Sequence, residues 1–214
     1  MTVALQEEVL VEAPRGRLAV LACGAVAREV LAVIRANGWD DVAVVCLPAS
    51  LHQTPARIAE AVDGRLRDLV PRYEAVFVAY ADCGTAGALD VVLERHRVER
   101  LPGAHCYGFF AGGDAWERLQ DEEPGTFYLT DFLARHFDAL VVRGLGLDRH
   151  PELASDVFRH YRRVVYLAQT EDSGLEADAR AAAERLRLPL EIRRTGYGDL
   201  PVALTRFMEA SAHA

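Results

Sequence analysis

A chain of 214 residues with 51% hydrophobic and 26% charged side chains is long enough to bury a substantial core under an ordinary surface. Its net charge of −8 argues against a nucleic-acid footprint, which needs a basic face to release counterions. All 24 basic residues are Arg, so Schiff-base chemistry and a phosphate-loop lysine are excluded.

Residues 1–16 are acidic, end in Ala-Pro-Arg-Gly and lack a basic segment leading into an apolar core. They are expected to be a tail or edge segment rather than a secretory leader. From Arg17 onward short apolar runs alternate with helix-length periodic segments. Residues 17–23 are predicted as a strand and 24–38 as a helix stopped by Asn37-Gly38. Residues 41–47 form the next strand, followed by a helix that Thr54-Pro55 opens with Pro at its first position. Residues 75–80 are the third strand and 85–96 the next helix. A looser, Gly-rich acidic stretch follows His105-Cys106. The pattern then resumes with strands at 138–146, 163–169 and 189–195 and helices at 151–163, 175–188 and 200–210.

Continuous apolar strands separated by helices predict an α/β fold, Rossmann-like, with a mainly parallel sheet covered by helices on both faces. Three segments are expected: 1–16; an N-terminal α/β half, 17–122; and a C-terminal α/β half, 123–214, packed on the same core. No run approaches the roughly 20 apolar residues that span a bilayer. A cytoplasmic location is expected, with Cys23, Cys46, Cys83 and Cys106 reduced.

The cysteines are patterned. Cys23 precedes Cys46 by 23 residues, Cys83 precedes Cys106 by 23, and Cys-Gly follows an apolar run both times. The two segments read as a divergent βαβ repeat. Cys23 and Cys83 are expected at strand ends near helix N-termini, where the partial positive charge favours thiolate. Gly24 and Gly84 would let the chain turn and a ligand approach the backbone. Cys46, inside V-A-V-V-C-L, reads as a buried inert thiol. His52 falls in the loop after the second strand, on the same rim. Cys23, His52, Cys83 and Cys106 together make a soft Cys₃His set suited to zinc, with iron or an iron–sulfur cluster as alternatives. Tyr128 and Arg143 are further candidates, for a hydroxyl donor and an anion holder. Residues 143–152 lack the third glycine of a dinucleotide fingerprint.

The order L-A-C-G, L-P-A-S-L-H-Q-T-P, A-D-C-G-T-A-G, H-C-Y and P-G-T-F-Y-L-T resembles the prokaryotic family known as domain of unknown function 1638. Cys23, His52, Cys83, Cys106 and Tyr128 fall on its motif positions. Some relatives carry Cys-His-Asp-Cys where this chain has Gly103-Ala104-His105-Cys106, which makes His105 an alternate ligand. Members tend to be encoded beside corrinoid-dependent methyltransferases. The resemblance therefore implies a role in cobalamin-linked one-carbon metabolism, with a corrinoid protein or methyltransferase as partner.

Three classes of function follow. The first is an enzyme or accessory using Cys/His-bound zinc in methyl transfer. The second is a cofactor-free enzyme of racemase type, with Cys23 and Cys83 as a two-thiol acid–base pair across a cleft. The third is a non-catalytic binding or delivery module for a corrinoid protein, with a structural metal.

Overall fold

The protein is described by a computed structural model covering residues 17–212; the segment expected as a tail or edge, 1–16, lies outside the described residues. The described chain divides into two compact units, residues 17–106 with 200–212, and residues 107–199.

The first unit runs β1 (Leu18–Cys23), α1 (Ala27–Ala36), β2 (Val42–Leu47), α2 (Ile58–Leu69), β3 (Ala75–Ala79), α3 (Ala88–His96) and β4 (Glu99–Arg100). The strands form one parallel sheet in the order β2-β1-β3-β4. Every residue of β1 and β2 is buried. A strand needs an uninterrupted apolar run when both its faces are covered, and L-A-V-L-A-C and V-A-V-V-C-L are such runs. α2 turns Ile58, Val62, Leu66 and Leu69 inward at helical spacing. A leucine as fully buried as Leu66 contributes about 1.5–3 kcal/mol. From β1 the chain goes to β2 on one side and then crosses to β3 on the other. The topological switch therefore lies between the carboxyl ends of β1 and β3, where open α/β sheets bind ligands.

The second unit takes in α4 (Cys106–Ala111) from Tyr107 onward, then α5 (Gly113–Glu122), β5 (Thr126–Leu129), α6 (Asp131–Arg135), α7 (Ala154–Val157), β6 (Arg163–Ala168), α8 (Ser173–Leu186) and β7 (Leu190–Arg194). Its three strands are parallel in the order β5-β6-β7. Leu129, Phe137, Val142, Val164 and Tyr166 lie in its core. Thr130 caps α6, its side chain accepting from the Leu133 amide at 3.3 Å. Asp172 caps α8 through the amides of Gly174 and Leu175. The last helix, α9 (Leu200–Ala212), returns to the first unit, where Phe207 packs on Phe77 with ring centroids 5.4 Å apart. No helix among the described residues is long and apolar enough to cross a membrane.

The α/β reading holds, and its strands are distributed over two parallel sheets. Four local expectations are corrected. Residues 138–146 are not a strand: Asp138–Val142 is a π-helix, because a short buried apolar run has the same composition in either state. Thr126–Leu129, in the stretch between Cys106 and residue 138 where no element is expected, is strand β5. The helix expected over 151–163 is confined to a 3-10 turn, Pro151–Leu153, and α7. Both βαβ units exist, but their second thiols are not equivalent. Cys46 lies within β2, whereas β4 ends at Arg100 and Cys106 opens a helix.

Candidate functional site

β1 ends at Cys23 and the turn into α1 begins at Gly24. A side chain on Gly24 would meet the Leu47 carbonyl oxygen at 3.1 Å and the Ala49 nitrogen at 3.2 Å, so this glycine is required by close approach of the chain to itself. The same approach brings the 3-10 turn Ala49–Gln53 against β1 and sets His52 beside Cys23. Cys23 Sγ lies 3.8 Å from His52 Nδ1 and accepts from the Ala25 amide at 3.3 Å. His52 Nδ1 also lies 3.1 Å from the Ala49 carbonyl oxygen. A carbonyl only accepts, so when this bond is made the proton sits on Nδ1 and Nε2 carries the lone pair.

Cys83 approaches the imidazole from the β3 side. It is not the last residue of its strand, as the sequence suggested; β3 ends at Ala79 and Cys83 lies four residues on. Its backbone is left-handed, with φ 52°, and Ala86 follows with φ 53°. For residues other than glycine this costs about 1–2 kcal/mol each, and such strain persists only where the surroundings impose it. Here Asp82 imposes it. Its carboxylate accepts from Thr85 Oγ1 at 2.6 Å, the Gly87 amide at 2.9 Å and the Ala86 amide at 3.2 Å. Burial alone would raise the Asp82 pKa, but these donors, with Arg100, hold it below the usual carboxylate range. The Cys83 amide donates to the Ala104 carbonyl at 2.8 Å and the Asp82 amide to the Gly103 carbonyl at 3.1 Å. Arg100, paired with Asp90 through two nitrogens, also reaches the Leu101 and Gly103 carbonyls and fixes that second chain.

Tyr80, which the sequence reading did not single out, completes the cluster. It follows β3 directly and is 1% exposed, and its ring lies parallel to His52 with centroids 6.3 Å apart. Its buried hydroxyl finds no oxygen or nitrogen partner among the described residues. Burial first, and then the charge of the Cys23 sulfur close by, push its pKa well above the ordinary value. The Cys23 sulfur is thus a polar neighbour of the hydroxyl, acting on it both as a charge and as a hydrogen-bond partner. The signal in the sequence was a tyrosine ending an otherwise apolar strand one turn before Cys-Gly.

The electrostatics differ from those expected of a helix N-terminus. Burial lifts the Cys23 pKa to about 11, outweighing the Ala25 amide that favours thiolate. Burial and then Cys23 lift Cys46 to about 11 as well. His52 moves the other way from its surroundings: burial disfavours imidazolium, yet the Cys83 sulfur and the Ala49 carbonyl outweigh it and raise the pKa. These thiols hold their protons at neutral pH until a cation or base displaces them.

The remaining candidates lie elsewhere. Cys46 pairs across the sheet with Ala22, one residue out of step with Cys23, so the two thiols address opposite faces. Cys106 is half-buried at the start of α4, two residues beyond the carbonyl that receives the Cys83 amide; His105 beside it is exposed. Gly84 has φ 82°, and a side chain there would touch Pro55 at 3.5 Å. Tyr128 belongs to the second unit, where its hydroxyl accepts from Gln120 at 2.9 Å and its ring packs on Trp116 and Tyr107. Arg143, also in the second unit, follows the π-helix and is exposed, so it has no strand end to occupy.

Does this donor set fit a metal? Zinc–sulfur and zinc–nitrogen bonds of about 2.3 and 2.0–2.1 Å at a tetrahedral angle place the two donors about 3.6 Å apart, close to the 3.8 Å between Cys23 Sγ and His52 Nδ1. The donor chemistry, two sulfurs and an imidazole, is that of zinc. As the side chains stand, no group of three His, Cys, Asp or Glu among the described residues is close enough to hold an ion outright. Coordination through Nδ1 would also replace the bond to Ala49. The residues fit in kind and in their paired spacing, and binding requires the Cys83 side to close by a side-chain movement.

No curated protein and no solved structure matches the chain. One family model matches residues 46–204, a span that holds His52, Tyr80, Cys83, Cys106 and Tyr128 and begins beyond Cys23. The chain belongs to the family described as Protein of unknown function (DUF1638).

Proposed function

We propose that the protein binds a soft divalent cation, zinc foremost, through Cys23, Cys83 and His52, with Cys106 as the candidate fourth ligand, and that it serves thiol activation in cytoplasmic, corrinoid-linked methyl transfer. The observation that carries the metal reading is the 3.8 Å pairing of Cys23 Sγ with His52 Nδ1 at the switch point of the first sheet, with the Cys83 sulfur also acting on that imidazole and a buried Tyr80 hydroxyl that finds no oxygen or nitrogen partner among the described residues. Buried polar groups are nearly always satisfied, so one without such a partner beside three soft donors points to a ligand. Zinc bound there would supply the Lewis acidity that deprotonates a coordinating thiol and leaves it nucleophilic.

The chain's own residues divide the remaining work. Ala49 orients the His52 ring, Asp82 and Arg100 hold the Cys83 loop, and Tyr80 offers a hydroxyl proton to whatever enters beside the thiols. Three protein ligands would leave a position open for substrate, and a fourth from Cys106 would close the site as a structural one. The methyl-transfer setting rests on the family resemblance and on the affinity of zinc-bound thiolate for alkyl groups.

Cobalt substitution tests the ligand set. The account predicts sulfur-to-cobalt charge-transfer absorption at about one cobalt per chain, lost in Cys23→Ser and Cys83→Ser and kept in Cys46→Ser. An unchanged spectrum in Cys83→Ser would remove the site as drawn. A second reading, the cofactor-free two-thiol enzyme, is favoured by the raised His52 pKa, to which the nearby Cys83 sulfur contributes. It predicts fast alkylation of Cys83 by iodoacetamide at neutral pH in chelator-treated protein, whereas the metal reading predicts alkylation that zinc suppresses.

A further inference from the structure

Independently of the thiol site, the second unit contains a cavity of about 600 Å³. This lies within the roughly 300–1,000 Å³ typical of small-molecule pockets. Its floor is apolar, formed by Phe137, Val142, Phe158 and Leu186. The π-helix Asp138–Val142 shapes one wall. Its wide turn, closed by the Arg143 amide on the Asp138 carbonyl at 2.9 Å, brings Val141 and Val142 side by side onto the cavity. A π-turn is rare and recurs at functional sites.

The lining charges are unequal. Arg159, Arg185 and Arg187 stand around the cavity against one carboxylate, Glu152, which already lies 3.3 Å from His150. Arg185 has only an exposed pairing with Asp138 at 3.9 Å. Arg159 donates to the His160 ring rather than to a carboxylate, and the Arg187 guanidinium makes no ion pair among the described residues. In a chain with 32 acidic against 24 basic side chains, three guanidiniums against Glu152 and the Asp138 that pairs with Arg185 make a local positive mouth. A guanidinium fork binds carboxylate or phosphate through two parallel bonds, whereas the floor below offers only apolar contact.

From this combination we infer that the cavity binds a small amphipathic anion, with its apolar body against Phe137, Phe158 and Leu186 and its carboxylate or phosphate head held by Arg159 and Arg187. Titration calorimetry of the full chain with decanoate, decyl phosphate, decanol and inorganic phosphate, each below its aggregation limit, tests it. At least one of the two amphipathic anions should bind about tenfold or more tighter than decanol and than inorganic phosphate; the tighter of the two heads identifies the ligand as a carboxylate or a phosphate ester. The variant Arg159→Gln/Arg187→Gly should lower that affinity about tenfold without loss of fold, since position 187 has φ 58° and glycine suits it. Ala154→Phe, which fills the cavity from α7, should abolish binding. Equal affinity for decanol, binding of neither anion, or full affinity in the arginine variant would overturn the inference.

Discussion

At the carboxyl edge of β5 and β6 the Asp131 carboxylate accepts from Tyr166 Oη at 2.7 Å, the Gln169 amide at 2.9 Å and Thr170 Oγ1 at 2.5 Å. At the carboxyl edge of β1 and β3 the Tyr80 hydroxyl, equally buried, finds no oxygen or nitrogen partner among the described residues. Both sheets are parallel, and both place a tyrosine among polar neighbours where strands end. One edge satisfies its polar groups internally and reads as structure. The other sets a buried hydroxyl with no oxygen or nitrogen partner among the described residues beside reduced thiols and holds Cys83 in left-handed backbone. A satisfied network rigidifies its unit, whereas an incomplete one marks where something external binds.

The largest expected effect breaks the satisfied edge. Asp131→Ala strips acceptors from the buried Tyr166 hydroxyl, the buried Gln169 amide and the more exposed Thr170 hydroxyl, and should cost about 3–4 kcal/mol in urea unfolding. A cost under about 1 kcal/mol would remove the distinction between the edges. Next comes pH. Cys23 and Cys46, lifted to about 11 from an ordinary 9.0, bind their protons more tightly folded than unfolded. Their contribution is whole below pH 9 and lost as pH rises toward 11, about 2–3 kcal/mol for each thiol. In chelator-treated protein Cys46→Ala should flatten the fall in urea midpoint over that window by about half relative to wild type, and an unaltered slope would contradict the assigned burial.

Smaller effects sharpen the contrast. Cys83→Gly relieves the left-handed strain and should stabilise the chelator-treated protein by about 1 kcal/mol while abolishing cobalt binding. That pairing of a gain in stability with a loss of binding is what a strained functional residue predicts. Tyr80→Phe, which removes a hydroxyl with no oxygen or nitrogen partner among the described residues, should change stability by less than about 0.5 kcal/mol. A loss of about 2 kcal/mol would mean that the hydroxyl is bonded in solution.

Much of the fold was legible because β1, β2, β3 and β6 are buried runs whose composition has no competing reading next to amphipathic helices. Asp138–Val142 was not, since five residues of Asp-Ala-Leu-Val-Val have no length or periodicity to separate strand from helix. The site was half legible. Cys23 and His52 could be placed on one rim because strand ends and the loops after them share it. The left-handed turn at Cys83 depends on Asp82 reaching three donors, a tertiary arrangement that no spacing encodes. The 23-residue echo misled for Cys106, because β4 is only two residues long and the chain has left the sheet before that thiol is reached.

The most direct measurement is the metal content of the protein purified without chelator, read by elemental analysis beside Cys46→Ser and Cys83→Ser. The account predicts about one zinc per chain in the wild type and in Cys46→Ser, and below about 0.2 in Cys83→Ser. Wild-type protein with less than about 0.2 of any transition metal per chain, or a Cys83→Ser protein that retains its full complement, would contradict it.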